Sequence, residues 1–524
     1  MSIIQISNLT FRYDTHYETI FDNLSLTLDT DWRLGLIGRN GRGKTTFAQL
    51  LMGNYPYSGT ISASVGFEYF PFTVPRGFPT TRETVKNMIA PFAQWERALE
   101  HPGDLAAYGD ALEQYIANDG YEMEAYIDRE AALLEVAPDV LERPFDTLSG
   151  GEQTKLMLCA LFLKKNKFLL IDEPTNHLDM EGRRALGKYL TNKKGFILIS
   201  HDRTLLDSAV DHILSINRST MEIQQGNYSS WKENRDRQDQ FERDKNARLK
   251  QEIGAMARSA AQKSNWSDSV ERSKIGSHAG DRGFIGHKSA KMMKRAKSIE
   301  RRRDAAIAEK EALLQDTEDV QQLKLHPLPY PKPVLFHAQD LTVDYGAGAL
   351  FRPLCFTIQP GTRLGLTGGN GTGKSSVIKL IAGLEVPHTG AAQLGSGLVV
   401  SYVPQDTSFL HGSLAAFSQS RGLDEPLFRA VLRKLGVPRT QFDKDMREFS
   451  QGQKKKVLLA ASLATQAHLY IWDEPLNFLD IPSREQLEQL LLQYAPTMAF
   501  VEHDAAFFKK IATQSVYLER NSVS

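Results

Sequence analysis

The 524-residue sequence is poor in cysteine. Its two, Cys159 and Cys355, lie far apart and outside any CxxC pair, which argues against a disulfide framework, an iron–sulfur cluster or a cysteine zinc site. Both fall in apolar stretches and are expected to be core thiols of a reducing compartment. No apolar run approaches the roughly 18 residues that span a bilayer, the longest being stretches such as Leu156 to Leu163. The chain opens directly into a strand-like pattern, and a soluble cytoplasmic protein is expected. Net charge is also missing, because 63 basic and 63 acidic residues cancel. A polyanionic partner would therefore have to be met by uneven placement of charge. What is abundant is apolar residue, 41%, enough for several cores in about three or four domain-sized units.

An internal repeat organises the chain. Leu9-Thr10-Phe11-Arg12-Tyr13 recurs as Leu341-Thr342-Val343-Asp344-Tyr345, 332 residues later, and Lys44 recurs as Lys374 at 330. Ser149 then pairs with Ser450 and Asp172 with Asp473 at 301, and His201 with His503 at 302. The first copy thus carries about 29 extra residues between its phosphate loop and Ser149. This insert, about Phe92 to Phe145, places Leu112, Tyr115 and Ile116, then Met123, Tyr126 and Ile127, at helical spacing. A protruding arm with a partner and an enlarged helical subdomain without one both fit. The expected domains are 1–226, with the insert at about 92–145, a linker 227–333 and a second copy 334–524.

The linker has few apolar residues and reads as two long helices. The first runs from about Ser230 to Lys263 and the second from Ser289 to about Leu323. The loop between them is marked by Gly276, Gly280, Gly283 and Gly286, and a proline run from Pro327 to Pro333 ends the second helix. At about 1.5 Å per residue, each helix of roughly 30 residues would reach about 45 Å. From Arg243 to Arg303 there are 17 Lys and Arg against 6 Asp and Glu, a net of +11. A charge run is commonly just a solvated helix. Here it flanks a glycine-rich tip, about 264–288, where Trp266, Phe284 and His287 would stack on unpaired bases, with Lys274, Arg282, Ile285 and Lys288 the other candidate residues of the tip. RNA is the expected partner.

Each copy opens a helix with a phosphate-cradling loop. Gly38, Asn40, Gly41, Gly43, Lys44, Thr45 and Thr46 form one, and Gly368, Asn370, Gly371, Gly373, Lys374, Ser375 and Ser376 the other. Glycines let the backbone aim its amides inward, the lysine reaches the β/γ oxygens, and the hydroxyls of Thr45 and Ser375 suit Mg²⁺. Apolar runs then end in Asp172-Glu173 and Asp473-Glu474. In each pair the aspartate would hold Mg²⁺ through water and the glutamate would orient or deprotonate an attacking water. His201 and His503, after the next strands, are placed to contact the γ-phosphate. Two ATP sites are expected, with Glu173, Glu474, His201 and His503 catalytic.

Leu148-Ser149-Gly150-Gly151-Glu152-Gln153 is similar to the signature of ABC ATPases, and Phe449-Ser450-Gln451-Gly452-Gln453 to a variant of it. Two such cassettes without membrane spans, joined by a charged helical hairpin, resemble the ABC-F proteins of the ribosome. Within that family the runs 450–456, 473–480 and 281–288 are similar to the Lsa/Vga-type antibiotic-resistance branch. The resemblance implies an α/β fold of two tandem P-loop ABC cassettes in a monomer. The cassettes would pair head to tail, so that Lys44 shares its ATP with Ser450 and Gly452, and Lys374 with Ser149, Gly150 and Gly151. It also implies that Tyr13 and Tyr345 stack on adenine, although a strand aromatic is as readily a core residue.

Gln405 matches a residue that senses Mg²⁺ and the attacking water. The first cassette has Phe72 there, and Gln451 replaces a signature glycine facing the same nucleotide, so the Lys44 site is expected to turn over more slowly. The resemblance implies that the ATP-closed form binds the bacterial ribosome at the E site, on its large subunit. The hairpin would lie against rRNA and the P-site tRNA and displace lincosamides, streptogramin A or pleuromutilins. The alternatives are a translation factor that gates tRNA without a drug, the ATPase component of a drug exporter, and a DNA-associated ABC ATPase. The last is disfavoured by the short hairpin and the absence of zinc-binding cysteines.

Overall fold

The structure is a computed structural model that describes residues 2–13, 19–101, 105–217, 220–242, 244–249, 251, 323–346 and 348–521. Residues 1–229 and 321–524 form one compact unit and Ser230–Val320 a second.

The first unit contains two α/β cassettes. In the first cassette the strands Gly66–Phe70, Lys167–Asp172, Phe196–Ile199, Arg33–Gly38 and His212–Ile216 lie side by side in that order, all parallel. Met221–Gln225 closes one edge antiparallel. The second cassette repeats the plan with Val400–Val403, Leu469–Asp473, Met498–Val501, Arg363–Gly368 and Gln514–Leu518. The central strands are apolar on both faces, as in Phe168-Leu169-Leu170-Ile171, because helices cover a parallel sheet from both sides. A three-stranded antiparallel sheet flanks each, built on Ile3–Phe11 in one and Phe336–Val343 in the other.

This strand order positions the site. The strand before each phosphate loop lies next to the strand before each histidine, and the Asp-Glu strand follows on that strand's other side. Gly38, Asp172 and His201 therefore emerge at the same carboxyl-terminal edge, where parallel sheets bind ligands. The signature helices Gly150–Leu163 and Gln451–Ala464 each start at a capping box, Ser149 with Glu152 and Ser450 with Gln453. Each box satisfies amides at the helix start.

The insert forms the helices Phe92–Glu100, Leu105–Ala117 and Met123–Leu133. Tyr115, Met123 and Ile127 are buried, whereas Ile116 and Tyr126 are exposed. Leu323 and Leu325 are buried in the core of the second cassette. In the second unit the described positions from 230 to 251 are helical, with ion pairs one turn apart at Lys232–Asp236 and Arg235–Asp239. The expected second linker helix and the tip, with Trp266, Lys274, Arg282, Phe284, Ile285, His287 and Lys288, lie outside the described residues.

One expectation is corrected. Cys159 is buried on the signature helix, but Cys355 is exposed. It sits on the edge strand Leu354–Ile358, where side chains alternate between core and solvent and position 355 takes the solvent side. Burial raises the Cys159 thiol far above its ordinary range, with Glu130 adding to the effect. A thiol reagent should therefore titrate about one cysteine per native chain and both in denaturant. Cys355→Ser should abolish the native reaction, as followed by thiol absorbance.

Candidate nucleotide site

Both phosphate loops turn through left-handed glycines, at φ 81° and 90° for Gly41 and Gly43 and 74° and 89° for Gly371 and Gly373. At Gly41 and Gly371 an added Cβ would meet nothing within 4 Å, so the requirement there is for the dihedral rather than for space. Gly43 and Gly373 cap the helices Lys44–Leu51 and Lys374–Ile381 without a side-chain bond, leaving their first amides free for an anion. The lysines fold back on their own loops. Lys44 Nζ donates to the Gly38 carbonyl at 2.7 Å, and Lys374 Nζ to Gly368 and Gly369 at 2.9 and 2.7 Å. Burial lowers the pKa of both, which favours exchanging carbonyl dipoles for the full charge of a phosphate.

Thr45 Oγ1 donates to Asp172 Oδ2 at 2.8 Å, and Ser375 hydrogen-bonds Asp473. Asp473 Oδ1 and Glu173 Oε1 are buried without a hydrogen-bond partner. Among the described residues no cluster of three His, Cys, Asp or Glu side chains could hold a metal. A hydroxyl, a carboxylate and an unpaired buried oxygen fit a hard cation whose other ligands come from phosphate and water. Tyr13 and Tyr345 bond the next hydroxyl of each loop, Thr46 Oγ1 and Ser376 Oγ, both at 2.9 Å. Tyr13 also packs edge-on to Phe11 and Tyr55.

Each loop is completed by the other cassette. The Asn40 amide donates to Asp480 Oδ2 at 3.0 Å and its side chain to the Phe478 carbonyl at 2.9 Å. The Asn370 amide donates to Asp179 Oδ2 at 3.2 Å and its side chain to the His177 carbonyl at 3.0 Å. The flanking signatures are close, because a Cβ on Gly452 would lie 3.7 Å from Asn40 Nδ2 and one on Gly151 3.8 Å from Asn370 Nδ2. Lys44 is thereby grouped with the Ser450 signature, and Lys374 with that of Ser149.

The sequence profile described as "ABC transporter" matches residues 21–176 and 351–477, more than half of the chain. The chain belongs to the ABC family, as an ABC-F ATP-binding protein. It is 29% identical to the energy-dependent translational throttle protein EttA of Haemophilus influenzae, over 94% of this chain and 88% of that one. It is 26% identical to the uncharacterized ABC transporter ATP-binding protein YfmM of Bacillus subtilis, over 98% of both. The crystal structure of archaeal ribosome recycling factor aABCE1 with ribosomal stalk protein aP1 superimposes with a TM-score of 0.60 at 19% identity, over 97% of this chain and 87% of that one. That likeness is one of fold. This ABC-F protein binds and hydrolyses ATP, and among its described residues no helix is long and apolar enough to cross a membrane.

The two sites of the ABC-F chain differ beyond Gln405 and Phe72. Gln405 Nε2 donates to Glu474 Oε2 at 2.8 Å, Asn477 bonds the same oxygen, and His503 Nε2 lies 3.4 Å from Oε1. Burial alone would raise Glu474, but His503 foremost and then Gln405 and Lys455 hold it below the usual carboxylate range. Glu173 has His201 Nε2 at 3.6 Å and a backbone hydrogen bond with the same residue, and burial, followed by Asp172, pushes it up to about 7 against the pull of Arg484 and Lys44. In the first cassette Tyr69, the counterpart of Tyr402, donates from its hydroxyl to Asp172 Oδ2 at 2.9 Å. Phe72 instead packs under Lys164 Nζ at 5.1 Å. Both glutamates share a left-handed backbone, φ 48° and 47°, a strained conformation for such a residue.

Sequence reasoning missed Tyr69, Asp179, Asp480 and Phe478. The signal for the aspartates was available, since each follows its Asp-Glu pair at the same distance and caps the next helix. A carboxyl raised on folding keeps a proton that the unfolded chain has already lost. The ligand-free protein should therefore lose stability as pH rises from Glu173's ordinary 4.5 to about 7. Glu173→Gln should lack that loss, so its denaturation midpoint should gain on the parent's across this window.

Proposed function

We propose that this ABC-F protein is a ribosome-associated translation factor of the cytoplasm, driven by ATP at two composite sites. The observation that carries the enzymatic half is the mutual completion of the phosphate loops by Asp480 and Asp179. Lys44 and Lys374 would bind the β/γ-phosphates, and Ser149, Gly150, Gly151, Ser450 and Gly452 would face the γ-phosphate from the opposite cassette. Thr45 with Asp172, and Ser375 with Asp473 and Gln405, would hold Mg²⁺, which neutralises charge on the transferring phosphoryl group. Glu173 and Glu474 would orient or deprotonate the attacking water, and His201 and His503 would steady the γ-phosphate.

Support for the ribosome comes from a relative named as a translational throttle that is similar along 94% of this chain, and from charge. The stretch from Arg243 to Arg303 is net +11 while the rest of the chain is net −11. A polyanion would engage that segment and be repelled by the cassettes. The E site, rRNA and the P-site tRNA are the proposed contacts, made by a monomer in its ATP-closed form.

A second reading, displacement of lincosamides, streptogramin A or pleuromutilins from the peptidyl transferase centre, is favoured by the resemblance of the runs 281–288, 450–456 and 473–480 to the resistance branch. Expression in a drug-sensitive host separates the two, since only displacement raises resistance. On that reading, deletion of 276–287 abolishes protection and spares basal ATPase.

The Glu173→Gln/Glu474→Gln protein should co-sediment with ribosomes in ATP and not without it. Failure to do so would overturn the ribosomal reading. Of the single variants, Glu474→Gln should remove most steady-state ATPase and Glu173→Gln less, because Glu474 already carries the glutamine contact that Glu173 lacks. Equal losses would refute that asymmetry.

A further inference from the structure

The junction between the cassettes has two flanks related by the repeat, and they differ in chemistry. Beside Lys44, Arg203 follows His201 by two residues and reaches across to the second cassette. Its Nη1 donates to Glu488 Oε2 at 3.2 Å, its Nη2 bonds Oε1, and Asp504 Oδ1 lies 3.7 Å away. Arg203 is 7% exposed and Glu488 3%. Glu488 stands on the helix Ile481–Tyr494, which Asp480 caps, and Asp480 is the residue that accepts the Asn40 amide. Lys510 joins Glu488 at 3.0 Å, and Arg484 joins Asp504 at 3.1 Å. One buried ion pair thus links the histidine segment of one cassette to the helix that completes the other side of the same site.

On the flank of Lys374 the equivalent positions are Ala505 for Arg203, Gly187 for Glu488 and Ser208 for Lys510. An ion pair cannot form there. A cavity of about 260 Å³ takes its place, lined by Gly187, Ala505, Ser208, Arg183 and His503 among others. Parting the first flank would break both charge-assisted bonds from Arg203 to Glu488 and its contact with Asp504. Among the described residues no ion pair spans the second flank, where Arg183 attracts Asp504 only at longer range and the cavity leaves the facing side chains apart.

We propose that Arg203 and Glu488 are positioning residues that keep the Lys44 site assembled through the hydrolytic cycle, so that the cassettes open and close on the flank of Lys374, where Gly187 and Ala505 leave a cavity. The inference rests on the two-site ATPase and on nothing about the ribosome. Its test therefore uses the full chain alone.

The protein is loaded with ATP and Mg²⁺ and chased with excess unlabelled ATP, and release is followed together with steady-state kcat and KM. A slow-release nucleotide is expected that Lys44→Ala removes and Lys374→Ala keeps. Arg203→Ala and Glu488→Ala should each speed that release by about tenfold, as truncating one member of a buried charge pair raises an off-rate. The reversed pair Arg203→Glu/Glu488→Arg should restore most of it, which a general loss of packing would not allow. In the mirror variant Gly187→Glu/Ala505→Arg, the new Cβ at 187 would lie 2.9 Å from the Ser208 hydroxyl, which must rotate off the Leu205 carbonyl, while the cavity receives the rest of the side chain. That variant should lower kcat several-fold and slow release from the second site. Unchanged release in folded single variants would overturn the proposal. Should those variants not fold, an unchanged kcat in the mirror variant would overturn it.

Discussion

The structure depends on one reciprocal contact. The Asn40 amide is held by Asp480 and the Asn370 amide by Asp179, so neither phosphate loop has its full set of bonds without the other cassette. Both aspartates also cap a helix through their second oxygen, Asp480 on Ser483 and Asp179 on Gly182. Each carboxylate is therefore fixed before it meets the loop, and its charge strengthens both bonds. The conformation of the loop and the apposition of the cassettes become one equilibrium. Any ligand that prefers the completed loop must favour the closed pair by the same free energy.

On this shared frame the two cassettes carry different chemistry, and the differences come in compensating sets. Beneath Asp473-Glu474 the second cassette buries Lys455, whose Nζ donates to the Asp473 carbonyl at 2.8 Å, and also buries Glu502, which accepts the Leu476 amide at 3.1 Å. The first cassette has Thr154 and Ser200 at those positions. A buried cation without a nearby carboxylate would be expensive, so the pair is present together in one copy and absent together from the other. Lys455 feels the charges of Asp473, Glu502 and Glu474, yet burial still lowers its pKa to about 8. The same environment helps keep Glu474 low, while Glu173, without Lys455 or Gln405 equivalents, rises. The Tyr69 hydroxyl on Asp172 serves the neighbouring carboxylate and gives Glu173 no counterpart of the glutamine bond.

Much of this was legible in the sequence because it is local. An apolar run ending in Asp-Glu forecasts a buried strand with carboxylates at its tip, and a serine followed three residues later by Glu152 or Gln453 forecasts a capped helix. What was not legible depends on which face a residue takes or on contacts several hundred residues apart. Cys355 reads as apolar core until the edge strand turns it outward. Arg203 and Glu488 each look like an ordinary charged helix residue, and only the apposition of the cassettes buries them together. Phe478 resembles a packing residue, yet it adopts φ 64° and offers its carbonyl to Asn40. The repeat held the clue for the ion pair, since Ala505 and Gly187 stand where the other copy has the charges of Arg203 and Glu488.

The proposed single-flank opening changes what ATP must accomplish. Two cassettes of one chain that part on both flanks must recover their relative orientation each cycle, at an entropic cost that the linker reduces without removing. Bodies joined at one flank meet at high effective concentration, because only rotation about the contact remains. Here the contact would be Arg203 with Glu488, on the side of the glutamate that lacks its glutamine. A site built to stay shut has little use for a rapid water-activating residue, whereas the site that opens must complete its chemistry to reset. Glu474 is the glutamate with the fuller set of bonds, and it sits on the flank with the cavity. Position of the hinge and placement of the better-supported carboxylate therefore follow from the same asymmetry.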